Sequence, residues 1–93
     1  MTLHIVNQSP FAGSALSDCL NAFNPGDALL LIEDATYGAN DQRLVNLPAG
    51  TAYCLAADAL ARGINTPATV TSIDDARWVV LCTEHNPIVS WFR

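Results

Sequence analysis

The hydrophobic pattern of the chain is organised around residues 28–32, a run of five apolar residues that precedes the two carboxylates Glu33 and Asp34. An apolar run without polar alternation is typical of a strand buried on both faces, as in parallel sheets covered by helices. We therefore predict that this run is the central strand. Glu33 and Asp34 then lie at its carboxyl end, the edge at which open α/β sheets usually bind ligands.

Shorter patterns on both sides of this run predict alternating strands and helices. Further strands are predicted at residues 2–6, 51–55, 69–73 and 88–92, and helices at about 15–23, 57–62 and 75–85. Ser14 and Asp74 are the expected N-caps of the first and last helices. A short helix is predicted within 35–40, followed by a polar segment. This order favours a single domain, residues 1–93, folded as a three-layer α/β/α sandwich on a mostly parallel sheet of about five strands with right-handed connections.

The last predicted helix is apolar on two sides. One stripe contains Ala76, Val79, Val80 and Thr83, and a second contains Trp78, Leu81, Cys82 and His85. Since one sheet contact covers only one stripe, we predict that the second stripe contacts a partner. Large aromatic residues often dominate the binding energy of protein interfaces, so Trp91 and Phe92 join Trp78, Cys82 and His85 in the predicted interface. The alternative is that loops of the same chain cover these side chains.

The composition also favours an assembly. Hydrophobic residues make up 51% of the chain and charged residues 14%, against roughly 25% charged in typical soluble domains. Part of this apolar surface is expected to be covered by another subunit, and the protein is expected to self-associate when alone. No apolar stretch approaches the roughly 20 residues of a membrane span. No signal peptide is recognised, so we expect a cytoplasmic protein that does not bind membranes.

Charge and residue spacing argue against several other functions. The net charge is −5, and the four arginines, residues 43, 62, 77 and 93, are scattered, so direct binding of nucleic acid is not expected. Three widely spaced cysteines, an odd number, favour reduced thiols over disulfides. His4 and His85 have no other ligands at metal-binding spacing, and no glycine-rich phosphate loop follows a strand. We therefore expect neither a metal nor a cofactor.

Several segments together resemble the TusB/DsrH family. They are the opening Leu3-His4 with Asn7 and Ser9-Pro10-Phe11, the central residues 28–34, the turn at 60–63, the acid-started last helix and Trp91. The resemblance implies a DsrEFH-like α/β sandwich and a subunit of a heterohexamer with TusC/DsrF-like and TusD/DsrE-like subunits. Such complexes relay persulfide sulfur, toward 2-thiouridine at the tRNA wobble position in the Tus branch and in sulfur oxidation in the Dsr branch. The resemblance also implies that the principal sulfur acceptor belongs to the TusD/DsrE-like subunit.

Two roles for this chain remain open at the level of sequence, an auxiliary subunit and a sulfur carrier. A carrier needs an exposed cysteine with a lowered pKa. Cys54 is expected in the core and Cys82 in the core or interface, which leaves Cys19 as the candidate relay thiol. Cys19 lies mid-helix on an apolar stripe, and Asp18 precedes it, which favours a structural cysteine. A third possibility is an isolated ligand-binding α/β domain, because a fold does not fix a function.

Overall fold

The structure, a computed structural model, describes residues 1–92, and Arg93 lies outside the described residues. Its strands are β1 (Leu3–Val6), β2 (Ala28–Leu31), β3 (Ala52–Leu55), β4 (Thr71–Ile73) and β5 (Ile88–Trp91), and its α-helices are α1 (Ala15–Ala22), α2 (Ala56–Ala61) and α3 (Asp75–Glu84). Two 3₁₀ helices, Glu33–Gly38 and Gln42–Asn46, connect β2 to β3. Every predicted strand and α-helix is confirmed, with bounds that differ by one or two residues at most ends.

The five strands form one sheet in the order β4-β3-β2-β1-β5, and all neighbours are parallel. β2 is the central strand, as predicted, and all four of its residues are buried. Each connection from β1 to β4 adds a strand on the same side, whereas α3 returns across the sheet to place β5 beside β1. The direction in which successive strands are added to the sheet therefore reverses at β1, between β2 on one side and β5 on the other.

Successive side chains of the inner strands point to opposite faces of the sheet and form two separate cores, one on each face. On one face, Val6, Leu29 and Leu31 pack with residues of α1 and α2. On the other face, Leu3, Ile5 and Leu30 pack with Leu81 of α3. These two layers of helices around one parallel sheet confirm the α/β/α sandwich.

The helix ends follow the predicted rules with one exception. Asp74 caps α3, because its Oδ1 accepts a hydrogen bond of 2.9 Å from the backbone N–H of Arg77. Gly63 ends α2 with φ of +67°, a conformation that glycine adopts at low cost. Ser14 is the N-cap residue of α1, as predicted, but its side chain makes no capping hydrogen bond. Ser14 Oγ instead donates to Asp18 Oδ2, because Ser14 does not have the extended backbone typical of an N-cap.

Candidate functional site

Cys19, the candidate relay thiol, lies on the side of α1 that packs against the sheet, and its side chain is fully buried. It belongs to the same apolar cluster as Val6 of β1 and Leu29 of β2. A second protein could reach this sulfur only if α1 moved away from the sheet. The helical stripe predicted from the sequence is therefore present, and it places Cys19 inside the protein.

The surroundings of Cys19 also suppress its ionisation. Burial, and to a smaller extent the negative charge of Asp27, raise the pKa of the Cys19 thiol to about 12. Because the thiolate is the nucleophile in sulfur transfer, a thiol that is protonated at neutral pH reacts slowly. Cys19 thus lacks both properties of a relay cysteine, exposure and a lowered pKa.

The other two cysteines lie where the sequence placed them. Cys54 is fully buried in β3. Burial raises its pKa, a hydrogen bond with Thr66 opposes this shift, and the charge of Asp58 adds to it. Cys82 is half-buried on α3 and packs against the core cluster that contains Leu81. Cys82 is therefore the most accessible of the three thiols.

The structure contains a buried polar network that the sequence analysis did not find. His4 Nε2 lies 2.9 Å from Asp27 Oδ2, and Trp91 Nε1 lies 3.1 Å from His4 Nδ1. His4 is 3% exposed and Asp27 5% exposed, so both are shielded from solvent. We call these three residues the His4 network. It joins three segments that are far apart in the sequence: β1, β5 and the turn that precedes β2.

The geometry fixes the protonation of the histidine ring. An indole N–H can only donate, so His4 Nδ1 must accept the hydrogen bond from Trp91. The ring hydrogen of neutral His4 is then on Nε2 and is donated to Asp27. The His4 ring also stacks on Trp91, with ring centroids 6.2 Å apart, and packs against Phe23 at 5.5 Å. Every polar ring atom of His4 thus has a partner.

Asp27 is held in its charged form. Burial acts to raise its pKa, but hydrogen bonds from His4 and from the backbone N–H groups of Thr2 and Asn24 outweigh burial, so the pKa lies below its usual value. A carboxylate that accepts several such bonds stays ionised although it is buried. Two features of the sequence could have indicated this network: a histidine, His4, within an apolar strand, and an aspartate, Asp27, directly before the apolar run.

At the carboxyl end of β2, both predicted carboxylates are exposed, and the side chain of Asp34 and the backbone of Glu33 make structural hydrogen bonds. Asp34 Oδ1 accepts a hydrogen bond of 2.9 Å from Arg62 Nε. Glu33 has φ of +49°, and its backbone N–H donates to Asp58 Oδ2 at 2.7 Å. Within residues 1–92, no three His, Cys, Asp or Glu side chains lie together as metal ligands would.

The predicted interface residues occupy different environments. Trp78 and Cys82 pack against the core on the α3 side of the sheet, and His85 is half-buried, with its Nδ1 2.8 Å from the carbonyl oxygen of Leu81. Trp91 is half-buried in the His4 network, and Phe92 is 54% exposed.

The orientation of α3 corrects one premise of that prediction. The stripe expected to be left for a partner, which includes Trp78, Leu81 and Cys82, is the one that faces the sheet. The opposite stripe is uncovered, with Val79 65% and Val80 42% exposed. Leu81, fully buried, is what decides the orientation, because it fills the core above Leu3 and Leu30. The uncovered apolar stripe predicted for α3 exists, but it is the stripe of Val79 and Val80.

A small parallel α/β fold with two buried thiols and an uncovered apolar stripe on its last helix is typical of subunits of larger assemblies. Comparison with protein families shows which kind of assembly this is. Residues 8–88 match the family model described as DsrH like protein, so the chain belongs to the DsrH-like family. Proteins of this family are subunits of multi-subunit sulfur-relay complexes, which confirms the resemblance found in the sequence. No curated protein matches the chain. None of the helices within residues 1–92 has the length and apolar character needed to cross a membrane.

Proposed function

We propose that this protein is an auxiliary, non-catalytic subunit of a TusBCD/DsrEFH-type sulfurtransferase complex in the cytoplasm, and that the complex relays persulfide sulfur toward 2-thiouridine at the tRNA wobble position. Its partners in this proposal are TusC/DsrF-like and TusD/DsrE-like subunits in a heterohexamer. The observation that carries the auxiliary role is the complete burial of Cys19 together with its raised pKa.

The chemistry of transfer explains why this observation matters. An acceptor thiolate attacks the outer sulfur of a donor persulfide, a new S–S bond forms on the acceptor, and the donor leaves as a thiolate. The step needs an ionised sulfur that can approach the donor within bonding distance. Cys19 and Cys54 are neither ionised nor accessible in this fold. In this proposal sulfur is carried by the TusD/DsrE-like subunit, and this chain contributes a binding surface for its partners.

The uncovered apolar side chains support a role in assembly. Val79 and Val80 are exposed on α3, and Ile88 is 45% exposed on the neighbouring edge strand. Ile88 pairs in register with Leu3, which faces α3, so Ile88 is on the same side of the sheet as that helix. Exposed apolar residues on one side of a small protein favour contact with another subunit.

The arginines of the described chain support an indirect role toward tRNA. Each of the three is paired with a carboxylate: Arg43 with Asp41, Arg62 with Asp34 and Arg77 with Glu84. Paired arginines on a chain of net charge −5 offer little attraction to phosphate. In the proposed complex the tRNA pathway is therefore served through the partners.

The test is persulfide loading in a complex reconstituted from this chain and its two partner subunits, measured by intact mass for each subunit. Wild type is compared with Cys19→Ser, and Cys82→Ser serves as the matched control because Cys82 is more accessible. We expect sulfur transfer to persist in both variants. A gain of one sulfur on this chain that disappears with Cys19→Ser or with Cys82→Ser, together with lost transfer, would instead make that cysteine a relay thiol.

The destination of the sulfur needs a separate measurement. Deleting the gene for this chain in its own cells should lower the 2-thiouridine content of tRNA, and the wild-type gene should restore it. A deletion that leaves 2-thiouridine unchanged but impairs growth on reduced sulfur compounds would place the complex in sulfur oxidation.

A further inference from the structure

We propose that the His4 network is a pH-sensitive contact, which ties Trp91 of the edge strand β5 to the core at neutral pH and releases its indole when His4 gains a second ring proton. The inference concerns the fold of this chain alone and does not rest on the proposed function.

The first step of the argument is the position of the second proton. In neutral His4, Nε2 carries the ring hydrogen and donates it to Asp27, so the only free site for another proton is Nδ1. Trp91 Nε1 donates to that same nitrogen at 3.1 Å. Once Nδ1 carries a hydrogen, two N–H groups point at each other and the hydrogen bond is lost. The indole and the ring must then separate.

The second step is that the charged ring can stay in place. Asp27 faces Nε2 as a carboxylate, so it accepts the Nε2–H hydrogen bond from the neutral ring and from the doubly protonated ring alike. The titratable residues of the elements around His4 are Asp27 before β2, and Asp18 and Cys19 on α1, whereas β2 and β5 have none. Cys19 is protonated and uncharged at neutral pH. The bond to Asp27 therefore survives protonation, and the bond to Trp91 does not.

The third step is that β5 is the strand able to respond. Within residues 1–92, β5 has a strand neighbour on one side only, β1, and two of its four residues are exposed. Trp91 packs against the core cluster beneath α1. The hydrogen bond from Trp91 to His4 is partly buried, and its loss lowers the free energy of local opening most in an edge strand. The release is thus confined to the end of β5, while β1 and β2 stay paired.

The test is a pH titration of the full chain by NMR with ¹⁵N labelling. The ¹⁵N shifts of the His4 ring report its protonation, and solvent exchange of the Trp91 indole N–H reports the contact. Histidine ordinarily changes its charge between about pH 8 and about pH 5, so the titration covers that range. We expect the protection of the Trp91 indole to fall by at least about tenfold in step with protonation of His4, while backbone amides of β2 keep their protection.

His4→Gln is the decisive variant, because glutamine offers a donor for Asp27 and an acceptor for Trp91 but takes up no proton. Its Trp91 indole should stay protected throughout the titration. His85→Gln removes the only other histidine and should behave as wild type. The proposal is wrong if wild-type Trp91 stays protected while His4 is protonated, if His4→Gln loses protection at the same pH, or if β2 opens together with the indole. Should His4→Gln fail to fold, the wild-type comparison of ring protonation with indole exchange decides alone.

Discussion

The side chain of Gln8 caps the first helix, since its Oε1 accepts a hydrogen bond of 3.2 Å from the backbone N–H of Ala15. Gly13 makes room for this contact, because a Cβ at position 13 would lie 2.4 Å from Gln8 Oε1. A residue of the loop after β1 therefore does what the sequence led us to expect of Ser14. The loop after β1 is thereby hydrogen-bonded to the first turn of the helix that carries Cys19.

The capping arrangement predicts unequal effects of two substitutions. Gln8→Ala should lower the free energy of unfolding by about 1 kcal/mol, since it leaves a helix N–H without its acceptor. Ser14→Ala should cost clearly less, because the Ser14 hydroxyl bonds to Asp18 and not to the backbone. Urea unfolding of the two variants and the wild type measures both effects. A larger loss of unfolding free energy for Ser14→Ala than for Gln8→Ala would mean that Ser14, and not Gln8, caps the helix.

The burial of the thiols predicts an order of alkylation. Near neutral pH, Cys82 should react with iodoacetamide well before Cys19 and Cys54, because of the three thiols only Cys82 is partly accessible. In urea the three rates should become similar, since unfolding removes the shielding. Mass spectrometry of peptides after timed quenching gives the three rates. Rapid modification of Cys19 in the folded protein would contradict its burial.

The raised pKa of Cys19 predicts a loss of stability at alkaline pH. A thiol whose pKa is higher in the folded state stabilises the fold below its unfolded value of 9.0, and this contribution is lost as the pH rises from there toward about 12. Cys19→Ala, which has no thiol to ionise, should lose less stability over the same range. Urea unfolding at a series of pH values from neutral upward tests this. Parallel curves for the two proteins would show that Cys19 does not contribute.

Asp27 predicts the opposite dependence at acid pH. Its pKa is lowered in the fold, so the carboxylate contributes its full stability above 3.8 and loses it as the pH falls below that value. Asp27→Asn should be less stable than wild type by about 2 kcal/mol at neutral pH, because it removes charged hydrogen bonds from a buried site. Its stability should also fall less steeply on acidification. Asp75→Asn, at an exposed site in the first turn of α3, is the control and should change both quantities little.

The orientation of α3 predicts which substitution separates assembly from folding. Val79→Asp should weaken association with the partner subunits by at least about tenfold, while the unfolding of the isolated chain changes little, because Val79 is exposed. Trp78→Ala should lower stability as well, since Trp78 packs against the core. Leu60→Asp, 82% exposed on α2, is the matched control on the opposite side of the sheet. Equal weakening by Val79→Asp and Leu60→Asp would mean that the α3 surface is not a specific interface.

The sequence predicted the sheet well because the strands have strong local signals. The run at 28–32 has no polar alternation, and only a strand covered on both faces accommodates it, so its central position followed. Asp74 was identified as a cap because an acid directly before a helical pattern has few other uses. In these cases one short segment contains all the information that determines its structure.

The errors concern contacts between distant segments. Gln8 is seven residues from the N–H that it caps, and no local pattern distinguishes it from other polar loop residues. The two stripes of α3 are both apolar. Which of them faces the sheet depends on the packing of Leu81 against Leu3, 78 positions earlier in the chain. The His4 network joins residues 87 positions apart. A single sequence does not reveal such pairings, because each partner taken alone resembles an ordinary buried or turn residue.

The position of β5 has a consequence for the synthesis of the protein. Leu3 pairs with Ile88 and Val6 pairs with Trp91, so the first of the five strands to be made has a neighbour that is made after the other four. While translation continues, β1 can pair with β2 but its other edge stays open, and pairing at such long sequence separation is slow. The sheet is complete only after β5 has left the ribosome. Until that moment, the nascent protein exposes an unpaired edge to which other chains can add a strand.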